Sequence, residues 1–263
     1  MEERLDRSWS RLYLRIAGEL APDSSLFTER VPANMPRIKG SEDTHATPTT
    51  SPVRRLRRPR QSDPPPSPQL MAAVPVFRRA GFFALYEPLS DVELARSLAA
   101  TWRAWEGDEL SSDPGELDWM LVVLDEERTF QGDSEADVLE GNNVYVGLLR
   151  DLARRSGGAL TVRAIKEEWA SHTGSVDISL RANGNAVHLA LADCGDWIDP
   201  KLLTEVNGLL SPEGPHFFVV DTGGQNVIIT RATEEERRTL EEARSLRLSD
   251  RPPPWWESVR RDC

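Results

Sequence analysis

The side chains with the clearest potential for chemistry are the aspartates of one short segment, CGDWIDP. Asp196 and Asp199 fall within it, Asp193 directly precedes it, and Asp221 ends a later apolar run. Carboxylates brought together in this way can bind a divalent cation or share a proton. Aspartate is equally suited to turns, and Asp199 before Pro200 has the spacing of a helix cap. Turns and caps are the favoured interpretation, and the alternative is a hydrolase or metal-binding enzyme that uses the carboxylates around 193–199 and 221.

Histidine and glycine patterns add no further site. The chain has four histidines but lacks the HExxH, H-x-E and CxxC spacings of common zinc sites. Gly223 and Gly224 stand between two apolar runs, whereas a phosphate-binding loop leads from a strand into a helix. We therefore predict no catalytic residue, no metal and no cofactor.

The two cysteines, Cys194 and Cys263, predict no structural disulfide, because one lies inside the domain and the other is the last residue. A chain without a disulfide framework is typical of a reducing compartment, so we expect a cytoplasmic protein. The first residues lack the continuous apolar region of a secretory signal. No stretch approaches the ~18 consecutive apolar residues of a membrane span, and we expect no integral membrane contact.

The chain has eight tryptophans, and three of them are candidates for exposure. Trp197 lies in the CGDWIDP segment, and Trp255 and Trp256 follow a run of prolines. Exposed tryptophan is enriched at binding hot spots, although Trp197 could equally cover the helix that follows it. Together with neighbouring polar residues, these side chains form a predicted partner-binding set: Asp193, Asp196, Trp197, Asp221, Gln225, Trp255 and Trp256.

Charge divides the chain into two unequal parts. Residues 1–80 carry 14 basic and 9 acidic side chains, whereas residues 81–263 carry 18 basic and 34 acidic ones, a net charge of −16. Such an acidic domain repels nucleic acid, because phosphate binding needs Lys and Arg. It attracts basic partners and accelerates their association.

The N-terminal part predicts little folded structure. Apolar side chains recur at helical spacing within residues 1–20, as in an amphipathic helix that docks elsewhere or frays alone. Residues 21–73 form a predicted disordered linker rich in proline and arginine. Its basic run, RRLRRPR at 54–60, either binds an acidic surface or nucleic acid, or is simply solvated. Met71 is an alternative start of the chain.

Residues 74–248 predict one acidic α+β domain with a largely antiparallel sheet and packed helices. Capping boxes at Ser90 and Thr233 begin two helices. Asn183-Gly184 between alternating apolar runs predicts a hairpin. Further helices are predicted at 137–155 and after Asp199, and a Pro/Trp tail at 249–263. The remaining predicted strands are 82–86, 118–124, 160–169, 217–221 and 226–230.

Residues 160–246 carry a recurrent pattern. It comprises Glu167-Glu168-Trp169, the Asn183-Gly184 hairpin, the segment GDWID at 195–199, the segment DTGGQ at 221–225 and a final Thr-Glu-Glu-Glu helix. This pattern resembles small bacterial proteins of uncharacterised activity that are immunity or accessory partners in toxin and competition loci. The resemblance implies a protein partner and carries over no catalytic residue.

Two hypotheses follow. The first is a protein-binding module, such as an immunity protein that masks a basic toxin with an acidic surface containing aromatic side chains. The second is the enzyme described above, whose loop carboxylates hold a metal or a polar substrate. The first is favoured because caps and turns account for the carboxylates and glycines that the second would need.

Overall fold

A computed structural model describes residues 55–60, 62–136, 138–170, 175–221, 226–244 and 246–259. Within these ranges lie seven α-helices, seven strands and the 3₁₀ helix Ala84–Tyr86. The helices are α1 (Pro68–Arg79), α2 (Asp91–Glu106), α3 (Pro114–Leu124), α4 (Val144–Arg155), α5 (Lys201–Gly208), α6 (Glu234–Arg244) and α7 (Pro254–Val259). The strands are β1 (Thr129–Asp133), β2 (Val162–Trp169), β3 (Val176–Ala182), β4 (Asn185–Leu191), β5 (His216–Val220), β6 (Asn226–Ala232) and β7 (Leu248–Ser249).

The strands form two sheets, and every pairing within them is antiparallel. One sheet has the order β1-β6-β5-β7 and the other the order β2-β3-β4. The predicted α+β class with antiparallel sheet structure is confirmed, although the strands form two sheets instead of one.

The four-stranded sheet separates two hydrophobic cores. Successive residues of β5 point to opposite faces, so Phe218 and Val220 join one core while Phe217 and Val219 join the other. Helices α1, α2 and α3 supply most of the first core, and α4, α5 and the three-stranded sheet supply most of the second. A strand with both faces buried is apolar at nearly every position, which explains the continuous run FFVV.

Local signals produced the elements they predict in several places. Ser90 and Glu93 form both hydrogen bonds of the capping box that begins α2. Thr233 and Glu236 make the same reciprocal bonds at the start of α6, with distances of 2.8 and 3.2 Å. The β3–β4 hairpin turns at Asn183 and Gly184, whose φ angles of 50° and 84° suit these residue types.

Two apolar runs predicted as strands have other structures. Residues 118–124 belong to α3, which begins at Pro114 after Asp113 accepts hydrogen bonds from two backbone N–H groups of its first turn. Nearly all side chains in the last two turns of α3 are buried, so no polar face reveals its helical period. Residues 82–86 form a turn and the 3₁₀ helix, with Phe83 at a φ of 60° and its N–H donated to Asp125 at 2.7 Å.

Folded structure begins earlier than the predicted boundary at residue 74. Helix α1 starts at Pro68, and Leu70 and Ala73 are buried in the first core. Part of the basic run also packs against the folded domain. Leu56 is buried in the first core, and its N–H donates to the Tyr86 hydroxyl at 2.8 Å. The linker prediction is therefore wrong for these residues, because a few apolar contacts order a segment whose composition suggests disorder. The predictions for residues 1–54 lie outside the described residues.

The C-terminal segment is likewise part of the fold. Within 249–263, the residues 254–259 form α7, and Trp256 is buried in the second core. No helix in the described part of the chain has the length and hydrophobicity needed to cross a membrane.

Candidate functional site

The aspartate-rich segment folds into a loop that is held by its own backbone. The buried Asp199 accepts hydrogen bonds from the N–H of Ala192 at 2.7 Å and from the N–H of Lys201 at 2.8 Å. One carboxylate therefore closes the loop between β4 and α5 and stabilises the start of the helix. The N–H of Asp199 donates to the hydroxyl of Tyr145 on α4 at 3.0 Å, which ties the loop to the second core.

Helix α7 packs onto this loop through its tryptophan pair. Trp256 is only 2% exposed, and its indole N–H donates to the carbonyl of Ile198 at 3.0 Å. Trp255 stacks against Trp256, with ring centroids 6.3 Å apart. The indole N–H of Trp255 donates to Asp221 at 3.3 Å, just after β5. Three separate segments of the predicted partner-binding set thus meet at one place.

Within this assembly the individual side chains have different exposure. Trp256 is a core residue, so its predicted exposure is wrong; the aromatic ring is more stable in the second core than in water. Asp193 is half-buried and accepts a hydrogen bond from Gly195 at 3.0 Å, a local turn. Asp196 is exposed and Trp197 is half-buried. Gln225 lies outside the described residues.

Cys194 is engaged in a disulfide bond, contrary to the prediction that no structural disulfide forms. Cys263 is the other cysteine of the sequence and lies outside the described residues. Separation along the chain misled the prediction, because helix α7, which ends at Val259, packs onto the loop that contains Cys194.

The carboxylates of the alternative enzyme hypothesis do not converge in the described structure. Across those residues, no group of three or more His, Cys, Asp or Glu side chains is arranged to hold a metal ion. Asp193 and Asp199 accept backbone hydrogen bonds, and Asp221 accepts one from Trp255. Local backbone hydrogen bonds thus engage Asp193 and Asp199, and a tertiary contact with Trp255 engages Asp221.

A different surface concentrates negative charge. A cleft of about 660 Å³ lies between the loop before α4 and the C-terminal half of β2. Four of the eight lining residues that the structure describes are acidic, and none of these eight is basic: Glu140, Gly141, Asn143, Glu167, Glu168, Trp169, Ala170 and Asp177. We call this surface the acidic cleft. A second cleft of about 620 Å³ beside α6 and β7 has mixed charge, since Arg237 and Arg247 line it together with Glu241 and Asp250.

Glu167 forms the half-buried floor of the acidic cleft. Its Oε1 accepts a hydrogen bond from the indole N–H of Trp169 at 3.1 Å. Burial raises the pKa of Glu167, and that hydrogen bond together with the nearby N–H groups of Tyr145 and Val146 opposes the rise. These N–H groups belong to the first turn of α4, whose own N-cap residue makes no side-chain cap bond. The positive pole of the helix dipole also stabilises the charged carboxylate at this end of α4.

The outer rim of the cleft is the solvent-facing side of the three-stranded sheet. Glu168 lies directly opposite Asp177 across the β2–β3 pair. Lys166 forms an ion pair with Glu168, and His188 lies 3.5 Å from Asp177. One lysine beside two neighbouring carboxylates leaves this rim with a net negative charge while His188 is neutral, which favours the approach of a further cation.

Sequence reasoning did not identify the acidic cleft. The run Glu167-Glu168-Trp169 belongs to the resembling pattern, and Glu140 and Asp177 lie outside that run along the chain. Alternation within β2 was the available signal, because it places one glutamate on each face of the strand. Comparison of the chain with protein-family models, curated proteins and solved structures finds no match.

Proposed function

We propose that the chain is a protein-binding module that holds a basic partner in the acidic cleft. The observation that carries this proposal is the composition of the cleft: four carboxylates and a half-buried tryptophan, with no basic side chain among the lining residues that the structure describes. An arginine or lysine of the partner would pair with Glu168 and Asp177 on the outer face of the sheet. A second cationic side chain on the inner face would lie against Trp169 beside Glu167.

The surroundings of the cleft suit a protein partner more than a small molecule. Leu139 precedes the acidic Glu140 at the rim and is 52% exposed, one of the large exposed apolar side chains in the described part of the chain. Protein interfaces combine the burial of apolar side chains with polar and charged contacts, and an exposed leucine beside a charged cleft offers both. The net charge of −16 on residues 81–263 would further accelerate the encounter with a basic protein.

In its finer form the proposal is that of an immunity protein that neutralises a basic toxin. The support is the resemblance of residues 160–246 together with the acidic cleft, whose Glu167, Glu168 and Trp169 belong to the resembling pattern. Co-expression with the product of the adjacent gene tests this form. Copurification and restored growth would support it, and a toxic neighbour that neither copurifies nor is neutralised would refute it.

The broader proposal is tested with a short labelled arginine-rich peptide and fluorescence anisotropy on the full chain. The triple variant Glu140→Gln/Glu168→Gln/Asp177→Asn should weaken binding about tenfold or more, because it removes the charges nearest the bound cations. A matched control, Glu213→Gln/Glu235→Gln/Glu242→Gln, removes the same charge from exposed positions elsewhere.

The control should change binding by less than about threefold at physiological salt, where charges beyond ~8 Å are largely screened. An equal loss in the two triple variants would mean that the peptide responds to net charge alone, and the proposal would then be wrong. A glutamate-rich peptide of equal length should not bind.

A further inference from the structure

The acidic cleft follows a sheet edge. Strand β2 is the outer member of the order β2-β3-β4, and in the described part of the chain it pairs with β3 and with no other strand. An edge strand has one row of backbone N–H and C=O groups that no neighbouring strand satisfies, and an added strand can complete these bonds.

The register of the β2–β3 pair identifies the residues of β2 whose backbone groups point away from β3. Ala170 donates to the carbonyl of Ser175 at 3.2 Å, so these two residues form a hydrogen-bonded pair of the β2–β3 ladder. Such pairs alternate along an antiparallel ladder, which makes Glu168 and Asp177 the next one. Glu167 and Trp169 therefore direct their backbone groups away from β3.

A bulge limits this edge to the C-terminal half of β2. The β2–β3 register shifts between Arg163 and Lys166, and Ala164 within that interval has a φ of 49°. Bulges twist an edge away from further pairing. Three residues of the remaining regular stretch line the acidic cleft: Glu167, Glu168 and Trp169.

We infer that this edge binds an extended basic peptide of the partner as a fourth strand, an inference that rests on the proposed function and names its mode of binding. Backbone hydrogen bonds would form at Glu167 and Trp169. Alternating side chains of the peptide would then face Glu168 on the outer side and Glu167 with Trp169 on the inner side.

Charge excludes the two other candidate occupants. A second copy of the chain would bring its own Glu167 and Glu168 against these residues, and like charges opposite each other destabilise strand pairing. Residues 1–54 of the chain carry eight acidic and eight basic side chains, so as a whole that segment has no net positive charge. A basic peptide complements the edge.

Amide hydrogen exchange measured by NMR on the full chain tests the inference with a short peptide of alternating arginine and valine. On saturation, the amides of Glu167 and Trp169 should exchange about tenfold or more slowly, because they gain partners. The amides of Glu168 and Ala170 already bond to β3 and should change little. A peptide N-methylated along one edge keeps its charge and should bind about tenfold more weakly.

The outcomes separate the inference from the proposed function. Peptide binding that depends on the cleft carboxylates but leaves the Glu167 and Trp169 amides unchanged would overturn strand addition and retain the basic partner. No peptide binding at all would overturn the two proposals together. Protection of these amides in a concentration-dependent dimer without peptide would assign the edge to a second copy and overturn the inference.

Discussion

Replacing Trp256 by alanine should destabilise the protein by about 4 kcal/mol, because this side chain holds α7 against the loop between β4 and α5. The indole is buried and donates to the carbonyl of Ile198. Removing an aromatic side chain of about 200 Å² from water contributes about 5 kcal/mol at ~25 cal/mol per Å². Measured Trp→Ala changes in cores cost about 3–5 kcal/mol, the hydrogen-bond loss included.

Two matched variants separate the contributions. Trp256→Phe keeps most of the apolar surface and loses the hydrogen bond to Ile198, so it should cost about 1–2 kcal/mol. Trp255→Ala removes the half-buried member of the stacked pair and should cost about 1–2 kcal/mol, because much of its surface remains in water.

The assay is equilibrium unfolding in urea, followed by far-ultraviolet circular dichroism under non-reducing conditions. Circular dichroism is preferable to fluorescence because the remaining tryptophans would dominate the emission. A loss below about 1 kcal/mol for Trp256→Ala, or an equal loss for the Trp255 variant, would refute the packing role assigned to Trp256.

Four further results are expected. Arg244→Met should lower the free energy of unfolding by about 3–5 kcal/mol, because it leaves Asp118 as a buried carboxylate without its partner at 2.7 Å; adding Asp118→Leu should restore most of the loss. Burial raises the pKa of Asp118 above its ordinary value despite Arg244, so the folded state binds this proton more tightly than the unfolded state. The stability of the native protein relative to Asp118→Asn should therefore rise as the pH falls through the raised pKa towards about 3.9. Cys194→Ser should lower the free energy of unfolding by about 2–4 kcal/mol in non-reducing buffer, and non-reducing peptide mapping should join Cys194 to the chain's other cysteine. Thr233→Ala should cost about 1 kcal/mol by removing the capping bond to the N–H of Glu236 at 3.2 Å, measured by urea unfolding.

Each of these results has a contrasting outcome. A double variant no more stable than Arg244→Met would show that the charge of Asp118 is not the source of the loss. An Asp118→Asn variant whose stability stays parallel to that of the native protein from pH 7 to about pH 4 would contradict the raised pKa. If a reducing agent leaves the native unfolding curve unchanged, the disulfide contributes no stability. Thr239→Ala on the same helix is the control for Thr233→Ala and should not destabilise, since alanine is the better helix former within a helix.

Much of the fold could be predicted because some determinants are local. Capping boxes at Ser90 and Thr233 and the Asn183-Gly184 turn depend on residues within a few positions of one another, so their outcome is independent of the rest of the chain. The sequence also predicted strands β5 and β6, because a strand that is buried on both faces reads as a nearly continuous apolar run. The order of elements, with helices interspersed among hairpins, correctly indicated the α+β class.

Predictions were wrong where the structure of a segment depends on the residues that pack around it. Residues 118–124 are apolar on every side, and a short buried run has no period that distinguishes a helix from a strand. The signal that does distinguish them, Asp113 followed by Pro114 as a cap and first helical residue, lies outside the run. The basic segment near Leu56 looked disordered because its composition is polar, yet a single buried leucine and a hydrogen bond to Tyr86 attach it.

The candidate sites show the same division. Asp199 as a cap and the Asp193 turn followed from the sequence because those hydrogen bonds are local. The burial of Trp256 and the acidic cleft arise from segments that are separated along the chain and meet only after the sheets and helices pack. The sequence by itself determined the acidity of the domain and where most of its helices and strands begin. Tertiary structure alone decided which carboxylates face each other and which tryptophans leave the solvent, because those depend on long-range packing that no local pattern records.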